Sequence, residues 1–516
     1  MKLIASLIFI LCYSITIGYS SDNGYSREIS YTYLIKGGTV IDGTGSKGFK
    51  ADILIKDDHI KFIGKVDTGE IEIDRIIDAT GKVVTPGFID THAHGNPLST
   101  PGFPNFLSMG VTTINLGQDG SSPRVGDTKG WMKDVEEVRP GVNIIHFIGH
   151  GSIRRAAGVN ERSNVTAEEL QKMISYVEEA LSAGSFGMST GLEYIPGTFV
   201  GMEELVALTE PIGKKGGMVM SHIRNEDDSY IEESITELIE QGRRSATPIH
   251  ISHIKIVYGN DETRVEEILD LLQDTRTNGQ IVTADIYPYT ASYTGIGIIF
   301  PDWAKAPFNY REVVTTRREE LATYLRDRVA MRNGPEATLF GTQPYAGKTL
   351  AQVAKEKGKS FEDVLIDDIG PTGAGAAYFV MSEKVMARFL SNSNVMISSD
   401  GSPTMHHPRG YGSFAKIIRK YVVEEKLLTL EEAIHKMTGL PASTLGINKT
   451  RGYLKSDLAA DLLIFDPVWV QDRADYENPH TLAEGFDYVM VNGQLVIDNG
   501  NFIHVGSGKM LKRQDN

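Results

Sequence analysis

Five residues of this 516-residue chain have the types and surroundings for metal-assisted hydrolysis. They are His92 and His94 in Gly87-Phe-Ile-Asp-Thr-His-Ala-His94, His222 in Ser221-His-Ile-Arg-Asn-Glu226, His253 in Ile251-Ser-His-Ile-Lys255, and Asp400 in Ser398-Ser-Asp-Gly401. Alternate side chains of an extended segment point the same way, so His92 and His94 can face one ion. Neutral imidazoles and carboxylates suit zinc, and a catalytic zinc keeps one position open for water. Such an ion lowers the pKa of its water to about 7 and polarises a carbonyl. A carboxylate beside that water takes its proton and later delivers it to a leaving amine, a role that Asp400 fits. Each residue alone also has an ordinary explanation. A His-x-His is weak on its own, His222 is compatible with a satisfied core histidine, and Asp400 before Gly401 also opens a turn. Together they stand just past different apolar runs, which packing does not explain. His250 alternates with Ser252 and reads as structural. His406 and His407, ahead of Pro408-Arg409, fit either a loop that shapes a substrate site or a solvated one.

The elements that must position these residues read as β/α repeats. Apolar, strand-like runs occur at Val83-Val-Thr-Pro-Gly-Phe-Ile89, Gly217-Met-Val-Met-Ser221, Pro248-Ile-His-Ile-Ser252, Ile281-Val-Thr-Ala-Asp285 and Val395-Met-Ile-Ser-Ser399. Thr166-Ala-Glu-Glu169 has the capping-box pattern and opens an amphipathic helix that Gly184 stops. A polar residue just past each run is what a TIM-like (β/α)8 barrel presents at the C-terminal ends of its strands. The fold class is therefore α/β. Residues 300–390 exceed one repeat and read as an insertion. Both chain ends are short, β-branched strands broken by Gly and Asp, as in Tyr33-Leu-Ile-Lys-Gly-Gly-Thr-Val-Ile41 and Tyr488-Val-Met-Val-Asn-Gly-Gln-Leu-Val496. These predict one small β-sandwich shared by residues 21–86 and 451–516, with the barrel over 87–450.

Composition narrows the function. The hydrophobic class makes up 41% of the chain and charged residues 23%, enough for a large core. A net charge of -15 argues against a nucleic-acid surface, which needs excess Lys and Arg. A small-molecule substrate is the better expectation. Residues 1–20 carry Lys2 and then an apolar run, with a cut expected near Ser20, and read as a signal peptide that sends the chain to the periplasm or outside the cell. Cys12, the single cysteine, lies in that leader. Leu11 before it argues against lipid attachment. The mature protein then has no thiol, no disulfide and no cysteine metal ligand.

Over nearly the whole mature chain the sequence resembles the N-acyl-D-amino-acid deacylases (D-aminoacylases) of the amidohydrolase superfamily. The resemblance is carried by Pro86-Gly-Phe-Ile-Asp-Thr-His-Ala-His94, Gly149-His-Gly-Ser-Ile-Arg154, Ser189-Thr-Gly-Leu-Glu-Tyr-Ile-Pro-Gly197, the His222 and His253 segments, Asp285-Ile-Tyr-Pro-Tyr-Thr-Ala-Ser292, Ser399-Asp-Gly401 and His407-Pro-Arg-Gly-Tyr-Gly412. Single pieces occur across the superfamily, whereas the ordered set is specific to this branch. The resemblance implies a TIM-like barrel with a β-sandwich and a tight zinc on His222 and His253. It also implies an adjacent, weaker metal position at His92 and His94, and Asp400 as catalytic base and acid. Arg409, Tyr287 and Ser292, with Lys255 nearby, match the positions that hold the substrate α-carboxylate. One departure stands out in Gly117-Gln-Asp-Gly120, where well-known members carry a metal-ligating cysteine at the position of Asp119. A carboxylate can bridge two metals but is a harder ligand than a thiolate. The expectation is that Asp119 remains a ligand and favours a second divalent ion. The alternative is a mononuclear site with Asp119 hydrogen-bonded to a ligand histidine.

The implied reaction is hydrolysis of N-acyl-D-amino acids to a carboxylate and a free D-amino acid. Dipeptides with a C-terminal D-residue are a related substrate class. A cyclic-amide hydrolase of hydantoinase or dihydroorotase type is disfavoured because Ala183-Gly-Ser-Phe-Gly-Met-Ser-Thr190 lacks a lysine to carboxylate. A non-catalytic secreted binding protein is disfavoured by the intact set of histidines and Asp400. Ile298, Ile299, Phe300 and Trp303 are candidates either for an apolar side-chain pocket or for the core of the insertion.

Overall fold

The computed structural model describes residues 30–69, 71–503 and 506–513. The expected leader lies outside the described residues. Eight parallel strands make the central sheet: β1 (Phe88–Asp90), β2 (Val111–Leu116), β3 (Asn143–Gly149), β4 (Gly187–Gly191), β5 (Met218–His222), β6 (Ile249–Ile251), β7 (Val282–Ile286) and β8 (Val395–Ile397), in sequential order. Every residue of β2, β3, β4 and β5 is buried, as a parallel sheet covered on both faces requires. The barrel closes just past β1 and β8 through the Ala93–Gly401 bridge, where Asp400 N–H donates to His92 C=O at 2.8 Å and His94 N–H to Gly401 C=O at 2.8 Å. That seam places His92, His94 and Asp400 side by side.

Helices cover the outside. Ala167–Ala183 starts at the predicted capping box of Thr166 and Glu169 and ends at Gly184 in a left-handed cap. Such a cap contributes ~1 kcal/mol. No helix among the described residues is long and apolar enough to cross a membrane.

The run from Val83 to Ile89 is not one strand. Val83–Pro86 belongs to the terminal sheet and Phe88–Asp90 to the barrel, with the chain changing sheets at Gly87. A Cβ there would meet Thr112 Oγ1 at 2.2 Å, so only glycine lets the backbone pass. The terminal sheet has nine strands from both chain ends, joined where Val83–Pro86 pairs with Leu462–Phe465. Ile60 and Leu495, from strands near its opposite edges, share one apolar cluster, so the sheet curls over a common core as a sandwich does. The last described residues leave this sheet and pair with β3 through Ile144 and Met510.

The insertion begins earlier than 300. It fills the connection from β7 to β8 and contains a three-stranded sheet of Ala291–Gly295, Gly375–Phe379 and Thr338–Phe340 with its own apolar cluster. The first strand shows no local sign of being an insertion, because its partner lies more than eighty residues away, at Ser292–Tyr378.

Candidate metal centre

The C-terminal ends of the barrel strands converge on one buried group of ligand-type atoms. Asp119 stands three residues past β2, His222 ends β5, His253 follows β6, and His92, His94 and Asp400 flank the closing seam. Asp119 Oδ1 lies 3.3 Å from His92 Nε2, 3.5 Å from His253 Nε2 and 4.0 Å from His222 Nδ1, while its Oδ2 lies 3.4 Å from His94 Nε2. Asp400 Oδ1 lies 3.1 Å from His94 Nε2 and 3.7 Å from His92 Nε2. His222 Nδ1 and His253 Nε2 are 3.0 Å apart. Ligands held about 2.0–2.1 Å from a tetrahedral zinc stand about 3.3 Å from one another, which these separations match. Three groups of ligand-type atoms result, His92/His94/Asp119/Asp400, Asp119/His222/His253 and Glu193/His222/Glu226; Asp119 belongs to the first two.

Hydrogen bonding supports a cation here. His92 Nε2 and Asp119 Oδ1 are buried without a hydrogen-bond partner, an arrangement that costs free energy unless something else satisfies them. The site also draws positive charge. Burial opposes protonation of His94 and His253, yet Asp119 and Asp400 around the first, and Asp400, Asp119 and Glu226 around the second, raise them to about 9 and about 10. Burial also opposes ionisation of Asp400, but Arg409 and the facing histidines hold its carboxyl well below the usual range.

The backbone is bent to make this convergence. Asp119 (φ 52°), His253 (φ 39°) and Asp400 (φ 47°) all take left-handed conformations, which cost non-glycine residues energy and gather at functional sites. Just before Asp119, Gly117 passes so close to β3 that a Cβ would meet Phe147 O at 1.9 Å.

Two glutamates that sequence reasoning left without roles orient the histidines. Glu193 Oε2 lies 3.0 Å from His222 Nε2, leaving Nδ1 to face the centre. Glu226 Oε1 lies 3.1 Å from His253 Nδ1, leaving Nε2 to do so. Carboxylates behind metal-binding histidines set tautomer and ring orientation. Both lie in segments already singled out, but only the folded distances single out the glutamates. Deeper still, Asp285 Oδ1 accepts from His253 N–H at 2.7 Å and Ser398 Oγ at 3.0 Å, while its Oδ2 meets Thr91 Oγ1 at 2.6 Å and His250 Nε2 at 2.8 Å. His250 is thus structural, as expected. Asp90, pushed up to about 7 by burial, accepts from the backbone N–H groups of His92 and Ser399 at 3.2 and 3.0 Å.

A cavity of about 370 Å³ opens over the centre and is lined by Tyr287, Ser292, Lys255 and Arg409. Arg409 is buried, pairs with Asp400 Oδ2 at 2.8 Å and lies over the Tyr287 ring at 4.7 Å. Its backbone N–H donates to Nδ1 of buried His407 at 3.0 Å, so His407 braces the Arg409 backbone and is not solvated. The Tyr287 hydroxyl is buried with no partner, and burial raises it to about 12, so it stays a donor. Lys255 is already engaged, 2.6 Å from Glu226 Oε1 and 2.8 Å from His253 Nδ1, which sequence proximity did not reveal. Of the four apolar candidates only Ile298 lines this cavity. Ile299 and Phe300 lie in the insertion core, and Trp303 stacks on Arg317 at 3.7 Å.

Comparison with known proteins follows this geometry. Residues 362–497 match the model of the amidohydrolase family. The N-acyl-D-glutamate deacylase of Alcaligenes xylosoxydans xylosoxydans is 32% identical over 93% of this chain and 96% of its own length. The D-aminoacylase of the same organism is 31% identical over 94% and 98%. Among solved structures, the N-acyl-D-glutamate deacylase of Bordetella bronchiseptica, complexed with zinc and a phosphonate mimic of the tetrahedral intermediate, superposes with a TM-score of 0.81 at 30% identity, covering 94% of this chain and all of that one. With this likeness running the length of both barrel and terminal sheet, the chain belongs to the N-acyl-D-amino-acid deacylase (D-aminoacylase) family of metal-dependent amidohydrolases.

Proposed function

We propose that this protein hydrolyses the amide bond of N-acyl-D-amino acids, releasing a carboxylate and a free D-amino acid. The observation that carries the reading is Asp400, held between the metal-type cluster and the guanidinium of a cavity-lining arginine. His222, His253 and Asp119 would hold the tighter zinc, and His92 and His94 would serve the adjacent position. When bound, zinc supplies Lewis acidity, lowering the pKa of water to about 7 and polarising the amide carbonyl.

The chain's own groups do the rest. Arg409, Tyr287 and Ser292 receive the α-carboxylate, the guanidinium through its planar fork and the tyrosine through its unpartnered hydroxyl. This clamp fixes which hand of the α-carbon presents its amide to the centre. Asp400 is ionised, so its Oδ1 accepts the proton of the attacking water and passes it to the nitrogen as the C–N bond breaks. Lys255 holds Glu226, and through it His253, and so acts as a positioning residue. The apolar run in residues 1–20 supports export, placing the reaction outside the cytoplasm.

The test is hydrolysis of paired N-acetyl-D- and N-acetyl-L-amino acids, with L-Xaa-D-Xaa dipeptides as a second arm. D-selective turnover that a chelator abolishes and zinc restores is expected. Zinc-loaded protein inert across the whole panel would sink the reading.

A further inference from the structure

One buried cation of the cavity, Arg332, pairs with no carboxylate among the described residues. Arg332 follows the insertion helix Arg318–Met331, is only 2% exposed, and lines the same cavity as His94, Asp400 and Arg409. Its guanidinium lies 4.7 Å over the Tyr378 ring and 5.7 Å over the Tyr258 ring. Nη1 donates to the Tyr258 hydroxyl at 2.9 Å, and Nε is buried without a partner. The Asp227 carboxylate, which lines the same cavity, is taken by Arg328 at 3.1 Å, and no carboxylate among the described residues pairs with Arg332. Tyr378, opposite Ser292 in the insertion sheet, also buries a hydroxyl that has no partner.

The other buried cations of the cavity each already face a carboxylate of the protein, Lys255 that of Glu226 and Arg409, through Nη1, that of Asp400. Arg155 is exposed at the rim. A buried, unpaired guanidinium is costly, and its forked donors match a carboxylate.

We propose that Arg332 receives a second carboxylate of the substrate, distinct from the α-carboxylate, so that the preferred substrates are dianionic N-acyl-D-amino acids. The inference rests on the deacylase reading above. Likeness does not choose the substrate, because relatives named N-acyl-D-glutamate deacylase, D-aminoacylase and N-acyl-D-aspartate deacylase are 32%, 31% and 31% identical to this chain. The second carboxylate sits either on the D-side chain or on the acyl group, and the assay separates the two.

Zinc-loaded wild type, Arg332→Met and Arg332→Lys are compared on N-acetyl-D-glutamate against N-acetyl-D-glutamine, and on N-succinyl-D-leucine against N-acetyl-D-leucine. In at least one pair the charged member is expected to have a kcat/KM about 10- to 100-fold higher, as a charge-assisted pair in a desolvated site gives. The favoured pair identifies the source of the carboxylate. Arg332→Met removes that preference with the neutral substrate nearly unchanged, and Arg332→Lys keeps part of it. Wild type indifferent to charge in both pairs, or equal loss on charged and neutral substrates in Arg332→Met, overturns the proposal and leaves Arg332 a stacking residue. Should Arg332→Met not fold, the Arg332→Lys profile alone decides, since loss confined to the charged member is expected only of a carboxylate receptor. Calorimetric binding of the same compounds to Asp400→Asn protein reads charge selectivity without turnover. A wild type that hydrolyses nothing then counts against the deacylase reading, while the presence or absence of charge-selective binding still decides the role of Arg332.

Discussion

Two of the barrel's buried polar clusters, one at each end, are built on opposite principles. At the mouth, His92 Nε2, Asp119 Oδ1 and the Tyr287 hydroxyl are buried with no partner. At the base, where β3 meets the terminal sheet, the Asp461 carboxylate pairs with Arg451, accepts from Asn143 Nδ2 at 3.1 Å and takes the Asn492 N–H at 2.6 Å. Asn143 Oδ1 in turn accepts from Asn492 Nδ2 at 2.8 Å and from Lys509 N–H at 3.1 Å. Both clusters are costly to bury. The base recovers most of that cost inside the protein, with Arg451 Nε left over, and ties barrel to sheet, whereas the mouth leaves it for a ligand to recover.

The difference can be broken by mutation, and the largest effect belongs to the mouth. Asp400→Asn should lower kcat by about 10³-fold, because the amide cannot take the water's proton, with the tighter zinc retained and the melting temperature lowered, since the Arg409 charge loses its anion. A variant that keeps wild-type kcat would remove Asp400 from the chemistry. In Asp119→Ala, zinc per chain should fall along with activity, and unchanged metal content would mean that Asp119 only hydrogen-bonds a histidine.

At the base the signature reverses. Asp461→Ala leaves the Arg451 charge buried and unpaired and should cost about 3–5 kcal/mol of stability in denaturant unfolding, while kcat/KM of the remaining folded protein holds. A smaller effect distinguishes the mouth again. Tyr287→Phe removes a hydroxyl with no internal partner, so KM should rise about 10-fold without loss of stability. A drop in stability would instead reveal a structural hydrogen bond.

A further effect is one of pH. Burial pushes His146 on β3 down to about 3, and its Nδ1 lies 2.8 Å from Ser185 Oγ. Between that value and the ordinary one near 6.5 the unfolded chain binds a proton that the folded chain refuses, so stability falls as pH drops through this window. His146→Asn should flatten the decline in melting temperature between about pH 6.5 and 4 without touching kcat. An unaltered slope would assign the acid sensitivity elsewhere.

Much of this was legible in the residues themselves. Local pattern determines local structure, so the capping box at Thr166, the apolar runs of β5 to β8 and the polar residues ending them followed from periodicity and composition. The chain alone also determined which side chains could bind a metal, since His and Asp are chemically distinct wherever they stand.

Only the tertiary structure decided which of them meet and on what terms. Barrel closure at Ala93–Gly401 joins Asp400 to His94 across about three hundred residues, and no local signal encodes that distance. Packing of the strand ends and the insertion puts Glu193 and Glu226 behind the histidines, commits Lys255 to Glu226, and leaves Arg332 hydrogen-bonded to Tyr258 but facing no carboxylate among the described residues. A residue's type sets what it can bind, but whether its partners lie within the protein is a property of packing. The tertiary contacts therefore separate the satisfied charges at the base from the waiting ones at the mouth.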